Sequence, residues 1–245
     1  MRVESTSEIP AVSYKQLRAL IGLLGILLPV IVWALGPAPL KQSISAYYYS
    51  NVRDFFVGLL SLTGVFLICY VGYKNDPPVT VVAGIAALLV ACFPTSPGPV
   101  EVAAMADQPP LSVVGLLNMP IKWSARIHYG SATTLFLLLA YMCGRLFVKT
   151  DPPSGPMTDQ KLRRNVVYKM CARVMVVAMA CEGANALYWQ SRGVEDPTRI
   201  LLAVETVCLM AFGIAWLVKG EVVPGLRDAP DGPAKSVAAT ISRSA

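Results

Sequence analysis

Long apolar stretches alternate with short polar ones along almost the whole chain. Four stretches contain no Lys, Arg, Asp or Glu, at residues 19–36, 55–73, 79–98 and 127–144. Two more, 174–190 and 200–218, match them apart from one glutamate in each. A helix that crosses a bilayer needs about 20 apolar residues, at about 1.5 Å rise per residue across roughly 30 Å of hydrocarbon. The pattern therefore predicts six transmembrane helices.

These boundaries predict an all-α fold, a polytopic membrane helix bundle. Its spans are expected at about 17–35, 54–73, 79–93, 126–148, 166–189 and 199–218. Residues 1–16 are predicted to form a cytoplasmic N-terminal segment, 17–219 the six-helix transmembrane domain, and 220–245 a disordered cytoplasmic tail rich in Pro, Gly, Ala and Ser. The polar, Pro-rich segment between the fourth and fifth spans, which ends at Asn165, is expected to form an inner loop. The apolar piece 111–119 is too short to span and is expected to lie on the membrane surface or to cap the bundle.

Composition and charge support this class and give an orientation. Of the 245 residues, 55% are hydrophobic and 15% are charged, against about 25% charged in soluble domains. With the N-terminus inside, fourteen of the 21 Lys and Arg fall in cytoplasmic segments and six in outer loops. Because cytoplasmic loops carry the excess of positive charge, both termini are predicted to be cytoplasmic.

The partners that the sequence favours are lipids. Topology and contact with anionic lipid explain the net charge of +6. The basic residues do not interleave with aromatic ones, so nucleic acid is excluded as a partner. The six cysteines form no C-x-x-C pair and are interpreted as small packing residues. No Asn-x-Ser/Thr acceptor occurs, and a bacterial inner membrane is the predicted location.

Two carboxylates lie within the apolar stretches, Glu182 in the fifth span and Glu205 in the sixth. An ionisable side chain in hydrocarbon is costly, so such residues face a protein interior or a wet cavity. The two spans are antiparallel neighbours, and both glutamates fall roughly 10 Å below the outer boundary at about 1.5 Å per residue. The alternative is a structural hydrogen bond between helices.

Further polar groups fall in the same half of the membrane, and the predicted ligand-binding residues are Tyr48, Arg53, Asp54, His128, Glu182 and Glu205. Each of the added residues has a simpler interpretation. Asp54 could complement the dipole of its helix, and Arg53 could anchor a span end at the headgroups. The Tyr47–Tyr49 run could form an interfacial aromatic belt, and His128 could bond a neighbouring helix. Together they predict a polar pocket that is open to the outer side.

Several chemistries could use such a pocket. A catalytic zinc site usually takes three protein ligands with His predominant, whereas this chain has one His, so we predict no metal and no cofactor. An acid/base hydrolase acting on a lipid is an alternative, and a triad of Ser45 or Ser131 with His128 and Asp54 can be drawn. A proton-coupled carrier is a second alternative. Binding of a lipid headgroup or small solute, without an assigned catalytic residue, is the preferred hypothesis.

Four short motifs carry a family resemblance: SISAYYY at 43–49, RDFFVGLL at 53–60, CFPT at 92–95 and IHYGSA at 127–132. With them, residues 43–216 resemble a group of six-helix bacterial membrane proteins of the domain-of-unknown-function type. The chain is more distantly similar to the FGF-receptor-activating/DRAM/Sfk-like proteins. The resemblance implies a six-helix bundle with Tyr48, Arg53, Asp54 and His128 as signature positions. The distant relatives are linked to lipid handling and membrane trafficking, which implies no catalytic assignment.

Overall fold

A computed structural model describes residues 13–70, 77–98, 119–150 and 157–227, together with Val102 and Leu117. These residues form an all-helical structure with six α-helices: α1 (Tyr14–Leu35), α2 (Arg53–Cys69), α3 (Pro77–Cys92), α4 (Ile121–Tyr141), α5 (Asp159–Arg192) and α6 (Ile200–Lys219). One wider helical turn, Met142–Leu146, extends α4, and short 3₁₀ helices occupy Ser45–Tyr49 and Pro224–Leu226. The predicted helical class is confirmed.

Among the described residues, four helical segments are long and apolar enough to cross a membrane: Tyr14–Leu35, Ile121–Leu146, Asp159–Arg192 and Ile200–Lys219. The helices α2 and α3 are also apolar but contain 17 and 16 residues. At about 1.5 Å per residue, α5 with its 34 residues is about 50 Å long, more than the hydrocarbon thickness. Part of α5 therefore projects beyond a bilayer or the helix tilts.

Helix starts differ from the predicted boundaries where side chains cap them. Ser13 and Gln16 form a reciprocal capping box at the start of α1, which satisfies two backbone N–H groups that have no partner within the helix. The Thr158 hydroxyl accepts the N–H of Lys161 at 3.2 Å, so α5 starts at Asp159. The polar residues from 159 to 165 are therefore helical, and the prediction of an inner loop up to Asn165 is wrong at its end.

The helices pack as a ring in chain order, because each contacts the next and α6 returns to α1. Glycines allow the closest approaches. A methyl group at Gly84 of α3 would lie 2.5 Å from the carbonyl oxygen of Gly64 of α2, and one at Gly213 of α6 would lie 2.7 Å from that of Gly22 of α1. Small residues serve this purpose in membrane bundles, where backbone proximity increases van der Waals contact.

Part of the connection between α1 and α2, around residues 43–48, is buried in the bundle. Ile44, Tyr47 and Tyr48 are 2%, 0% and 3% exposed, and the Tyr47 hydroxyl accepts the N–H of Lys41 at 3.3 Å. An interfacial aromatic belt is therefore wrong for these two tyrosines. Buried backbone polar groups need partners within the protein, and α6 supplies one to Ile44, whose N–H donates to Glu205.

Other predicted segments are described only in part. The first residues of the predicted tail pack against the bundle, because the backbone carbonyl of Leu226 accepts a hydrogen bond from Arg164 of α5 at 2.7 Å. Three predictions fall largely outside the described residues: the N-terminal segment at 1–12, the apolar piece predicted to lie on the membrane surface or cap the bundle at 111–116 and 118, and the tail at 228–245.

Candidate functional site

A cavity of about 260 Å³ lies between α4, α5, α6 and the buried connection that follows α1. Most of its wall is apolar and is formed by side chains such as Phe136, Met179 and Val204. Its polar wall consists of Ser43, Ser45, His128, Tyr129, Thr133, Glu182 and Glu205. The structure thus brings together three of the six predicted site residues.

Glu205, in the second turn of α6, is 7% exposed. Its carboxylate accepts the backbone N–H of Ile44 at 2.5 Å and the Ser45 hydroxyl at 3.2 Å. The N–H of Leu202 donates to the carbonyl of Gln42 at 3.0 Å and holds the same connection beside α6. Because a buried backbone N–H without a partner is unfavourable, Glu205 has a structural role as well as a position on the cavity wall.

Glu182, on α5, lies on the same wall but is only half-buried. Its partner is the amide of Asn185, 3.4 Å away. That amide also donates to Asp196 at 2.6 Å, and its oxygen accepts from the Trp189 indole at 3.1 Å. Asn185 therefore links the carboxylate of Glu182 to the loop between α5 and α6.

His128 is 1% exposed and joins α4 to the end of α3. Its Nδ1 lies 2.7 Å from the carbonyl oxygen of Phe93. Because a carbonyl can only accept, Nδ1 carries the hydrogen, and Nε2 is the acceptor in the neutral ring. Ser124 donates to the carbonyl of Pro94 at 2.8 Å. The predicted hydrogen bond between His128 and a neighbouring helix is therefore made by Nδ1, and it leaves Nε2 without an assigned role.

The other three predicted residues lie off the cavity wall. Arg53 donates to the Tyr48 hydroxyl at 3.1 Å, and its guanidinium carbon lies 4.7 Å from the centre of the Tyr48 ring. Asp54 is exposed in the first turn of α2, where a negative charge complements the helix dipole. The structure therefore separates a Tyr48–Arg53 pair and an exposed Asp54 from the cavity.

This geometry does not assemble the triad that the sequence allowed. The Ser45 hydroxyl donates to Glu205, the Nδ1 of His128 faces a backbone carbonyl, and Asp54 is exposed. A triad needs its carboxylate on that ring nitrogen. Within the part of the chain that the structure describes, His, Cys, Asp and Glu form no group of three suited to a metal ion.

A second recess, of about 330 Å³, adjoins the cavity at the end where α5 and α6 are joined. The two share Glu182, Ala186 and Leu201. Asp196 lines the recess and accepts the N–H of Thr198 at 2.7 Å. Desolvation opposes its ionisation, but hydrogen bonds from Thr198 and Asn185 outweigh it, so the pKa of Asp196 lies below its ordinary value.

Sequence reasoning missed Asp196, although Asp-Pro-Thr is a typical turn sequence. No local signal relates Asp196 to Asn185, eleven residues away. With Asp196 included, three carboxylates line the path from the recess into the cavity, and no Lys or Arg is among the described residues that line either space.

Comparison of the chain with protein-family models, with curated proteins and with solved structures gives no match.

Proposed function

We propose that the protein spans the bacterial inner membrane six times with both termini in the cytoplasm. The excess of Lys and Arg at one end supports this orientation. At about 1.5 Å per residue, α2 and α3 are about 25 Å long, which a locally thinned bilayer accommodates. Apolar side chains on the outside of the bundle suit hydrocarbon, with Val177 61% and Leu187 67% exposed. Reporter fusions after residues 76 and 98 test the topology, and a cytoplasmic position for residue 98 would contradict it.

We further propose that the cavity binds a small amine, either a free solute or the amine of a lipid headgroup. The observation that carries this proposal is the pairing of Glu182 and Glu205 on a largely apolar wall without Lys or Arg among its described residues. An ammonium group would receive charge-assisted hydrogen bonds from carboxylates, and its alkyl part would contact Phe136, Met179 and Val204. At about 260 Å³, the cavity suits a ligand near the small end of the usual range.

Binding is favoured over transport by the packing next to Glu205. The adjacent space, about 20 Å³, is bordered largely by apolar side chains such as Leu28, Phe56 and Leu209. A carrier needs polar access to both sides of the membrane, which this packing does not offer. Membership of the six-helix bacterial family, whose distant relatives are linked to lipid handling and membrane trafficking, forms part of the proposal.

The test uses hexylamine, which is protonated at pH 7 because alkylamines titrate near pH 10, and hexanol as its neutral match. Both are added to the full chain purified in detergent, and binding is measured by calorimetry. We expect hexylamine to bind at least tenfold more tightly than hexanol, and Glu182→Gln to remove most of that preference. Equal affinity for the two probes in the unmodified protein would refute the proposal.

A further inference from the structure

The helices α4 and α5 are in contact at one end and separated at the other. Near the end of α4, a methyl group at Gly144 would lie 3.1 Å from the Cβ of Ala172. Lys161, at the start of α5, donates to the carbonyl of Phe147 at 3.2 Å. Toward the other end the cavity lies between the two helices, and a methyl group at Gly183 would have no neighbour within 4 Å among the described residues. The pair therefore opens toward the end that holds the cavity.

This separation gives the cavity an opening on the side of the bundle. Tyr129 and Thr133 of α4, and Gly183 and Ala186 of α5, line the cavity and are also exposed. Residues three or four apart on one helix share a face. The two pairs therefore border a gap between α4 and α5 that reaches the outside of the bundle, here termed the lateral gap.

Apolar side chains flank the lateral gap on the outer surface of the bundle. Leu137 lies one turn after Thr133 on α4 and is 53% exposed. Val176 and Leu187 lie on the same face of α5 as Gly183 and are 52% and 67% exposed. Because α4 and α5 both belong to segments that are long and apolar enough to cross a membrane, these side chains suit hydrocarbon. An amphiphile in the bilayer would therefore meet the lateral gap directly.

The cavity has a second and more polar outlet. It adjoins the recess at the end where α5 and α6 are joined, and the two spaces share Glu182. Gln42, Gln190 and Asp196 line that recess, so water and charged groups suit it. One outlet is thus polar and lies at the end of the bundle, whereas the lateral gap is flanked by apolar side chains. The two outlets match the two parts of an amphiphile.

The size of the cavity limits how much of a ligand it can hold. Its volume of about 260 Å³ lies below the roughly 300–1,000 Å³ of sites that enclose drug-sized ligands. A headgroup fits in this volume, but a long alkyl chain must extend out of it. A chain that left through the polar recess would be exposed to water, which is unfavourable for apolar surface. The lateral gap instead leads the chain into hydrocarbon.

We propose that the ligand is a lipid amine, which enters the cavity from the bilayer through the lateral gap and keeps its alkyl chain in that gap. The inference rests on the proposed function, because it assigns the ammonium group to Glu182 and Glu205. It adds the source of the amine, which is the membrane and not the aqueous phase. It also gives the residues of the lateral gap a role in the passage of the chain.

The test uses photoreactive probes and the full chain in nanodiscs of phosphatidylcholine, a lipid without a primary amine. One probe is dodecylamine with a diazirine at the middle of its chain. Dodecanol with the diazirine at the same carbon is the neutral match, since dodecylamine is protonated at pH 7 and alkylamines titrate near pH 10. After illumination, mass spectrometry of peptides identifies the labelled residues.

Two glycine substitutions provide a matched pair of variants. Gly183→Leu places a bulky side chain in the lateral gap. Gly58→Leu is the control, because Gly58 of α2 is also exposed, has no neighbour within 4 Å among the described residues and does not line the cavity. Thr133→Leu narrows the same gap from α4 and replaces Gly183→Leu should that variant fail to fold.

We expect dodecylamine to label the residues of the lateral gap on the order of tenfold more than dodecanol does, because charge-assisted hydrogen bonds hold only the amine. Gly183→Leu or Thr133→Leu should lower this labelling severalfold, whereas Gly58→Leu should leave it unchanged. Labelling of Trp189 and Gln190 in the recess instead of the lateral gap would overturn the proposal. Equal labelling by the two probes, or labelling that the gap variants do not reduce, would overturn it as well.

Hexylamine binding in detergent separates this proposal from the function on which it rests. If hexylamine is preferred over hexanol but dodecylamine does not label the lateral gap, the cavity binds a free amine and only the lipid source is wrong. If hexylamine shows no preference, the amine site itself is wrong, and the proposal of a lipid amine fails with it.

Discussion

The carboxylate of Glu205 accepts the backbone N–H of Ile44 in the interior of the bundle, 2.5 Å away. A side chain of α6 thereby provides the acceptor for a backbone N–H in the connection between α1 and α2, 161 residues earlier in the chain. Such backbone is tolerated at membrane depth only where protein or water satisfies it. This contact gives a physical reason for an acidic residue in the apolar helix α6, and it predicts that stability and ligand binding respond separately at this position.

Substitutions of Glu205 should separate the two roles. In Glu205→Ala the N–H of Ile44 loses its acceptor, which should lower the free energy of unfolding by about 1–3 kcal/mol. Glu205→Gln retains an oxygen acceptor and should lose less stability, but it should bind hexylamine much more weakly because the negative charge is gone. Thermal unfolding and calorimetry measure the two effects. Equal destabilisation by Ala and Gln would contradict the assigned hydrogen bond.

Substitution of Glu182 should affect binding and spare the fold. Its carboxylate is half-buried and has one hydrogen bond, at 3.4 Å from Asn185. We expect Glu182→Gln to change the free energy of unfolding by less than about 1 kcal/mol while reducing hexylamine affinity at least tenfold. Glu195→Gln is the control, because Glu195 is exposed in the nearby loop and does not line the cavity. A matching loss of affinity in the control would indicate a long-range charge effect instead of a site.

His128 should tolerate an amide better than an aromatic ring. The amide nitrogen of His128→Asn can replace Nδ1 as the donor to Phe93, whereas His128→Phe leaves that carbonyl without this hydrogen bond. We expect His128→Phe to lower the free energy of unfolding by about 1–3 kcal/mol more than His128→Asn. Thermal unfolding in detergent measures the difference. Equal losses of unfolding free energy in the two variants would contradict the assigned hydrogen bond at Nδ1.

The same glycine substitution should have opposite effects at two positions. A methyl group at Gly84 would lie 2.5 Å from the oxygen of Gly64, whereas one at Gly58 of α2 has no neighbour within 4 Å. We expect Gly84→Ala to destabilise the α2–α3 contact by about 1–3 kcal/mol. Gly58→Ala should be neutral or stabilising by up to about 1 kcal/mol, because Ala favours helix over Gly. Thermal unfolding of the two variants checks the signs.

Asp196 should stabilise the α5–α6 end in a pH-dependent way. Hydrogen bonds hold its pKa in the folded protein below the ordinary value, which is about 3.9 in an unfolded chain. The stabilisation is therefore complete above about pH 4 and is lost as the pH falls through the lowered folded pKa. The stability difference between the unmodified protein and Asp196→Asn should shrink from pH 6 to pH 3. A difference that stays constant would show that the charge of Asp196 is not involved.

Hydropathy was sufficient to locate the helices, because crossing a bilayer imposes a length and a composition that are visible in every window of the sequence. Each of the six predicted spans overlaps a helix. The predicted boundaries are wrong where a capping side chain sets the start of a helix. At Thr158, one side-chain hydrogen bond places the start of α5 within a polar stretch.

The composition of the site was harder to predict. The sequence pointed to Glu182, Glu205 and His128 because polar residues are rare and expensive in apolar spans, and the structure places all three on one cavity wall. It also pointed to Arg53 and Asp54, whose sequence positions near a span end do not indicate which way their side chains lie. Asp196 carried no such signal, because an aspartate in a short loop is ordinary.

The sequence by itself thus determined the helical class, the approximate positions of the helices and the unusual carboxylates. All three follow from the free-energy cost of placing each residue type in an apolar environment. The tertiary structure decided that Ile44 and Ser45 are buried against Glu205, and that His128, Glu182 and Glu205 line one cavity. The physical reason is that burial, hydrogen bonding and charge convergence depend on contacts between residues far apart in the chain, and local periodicity carries no information about those contacts.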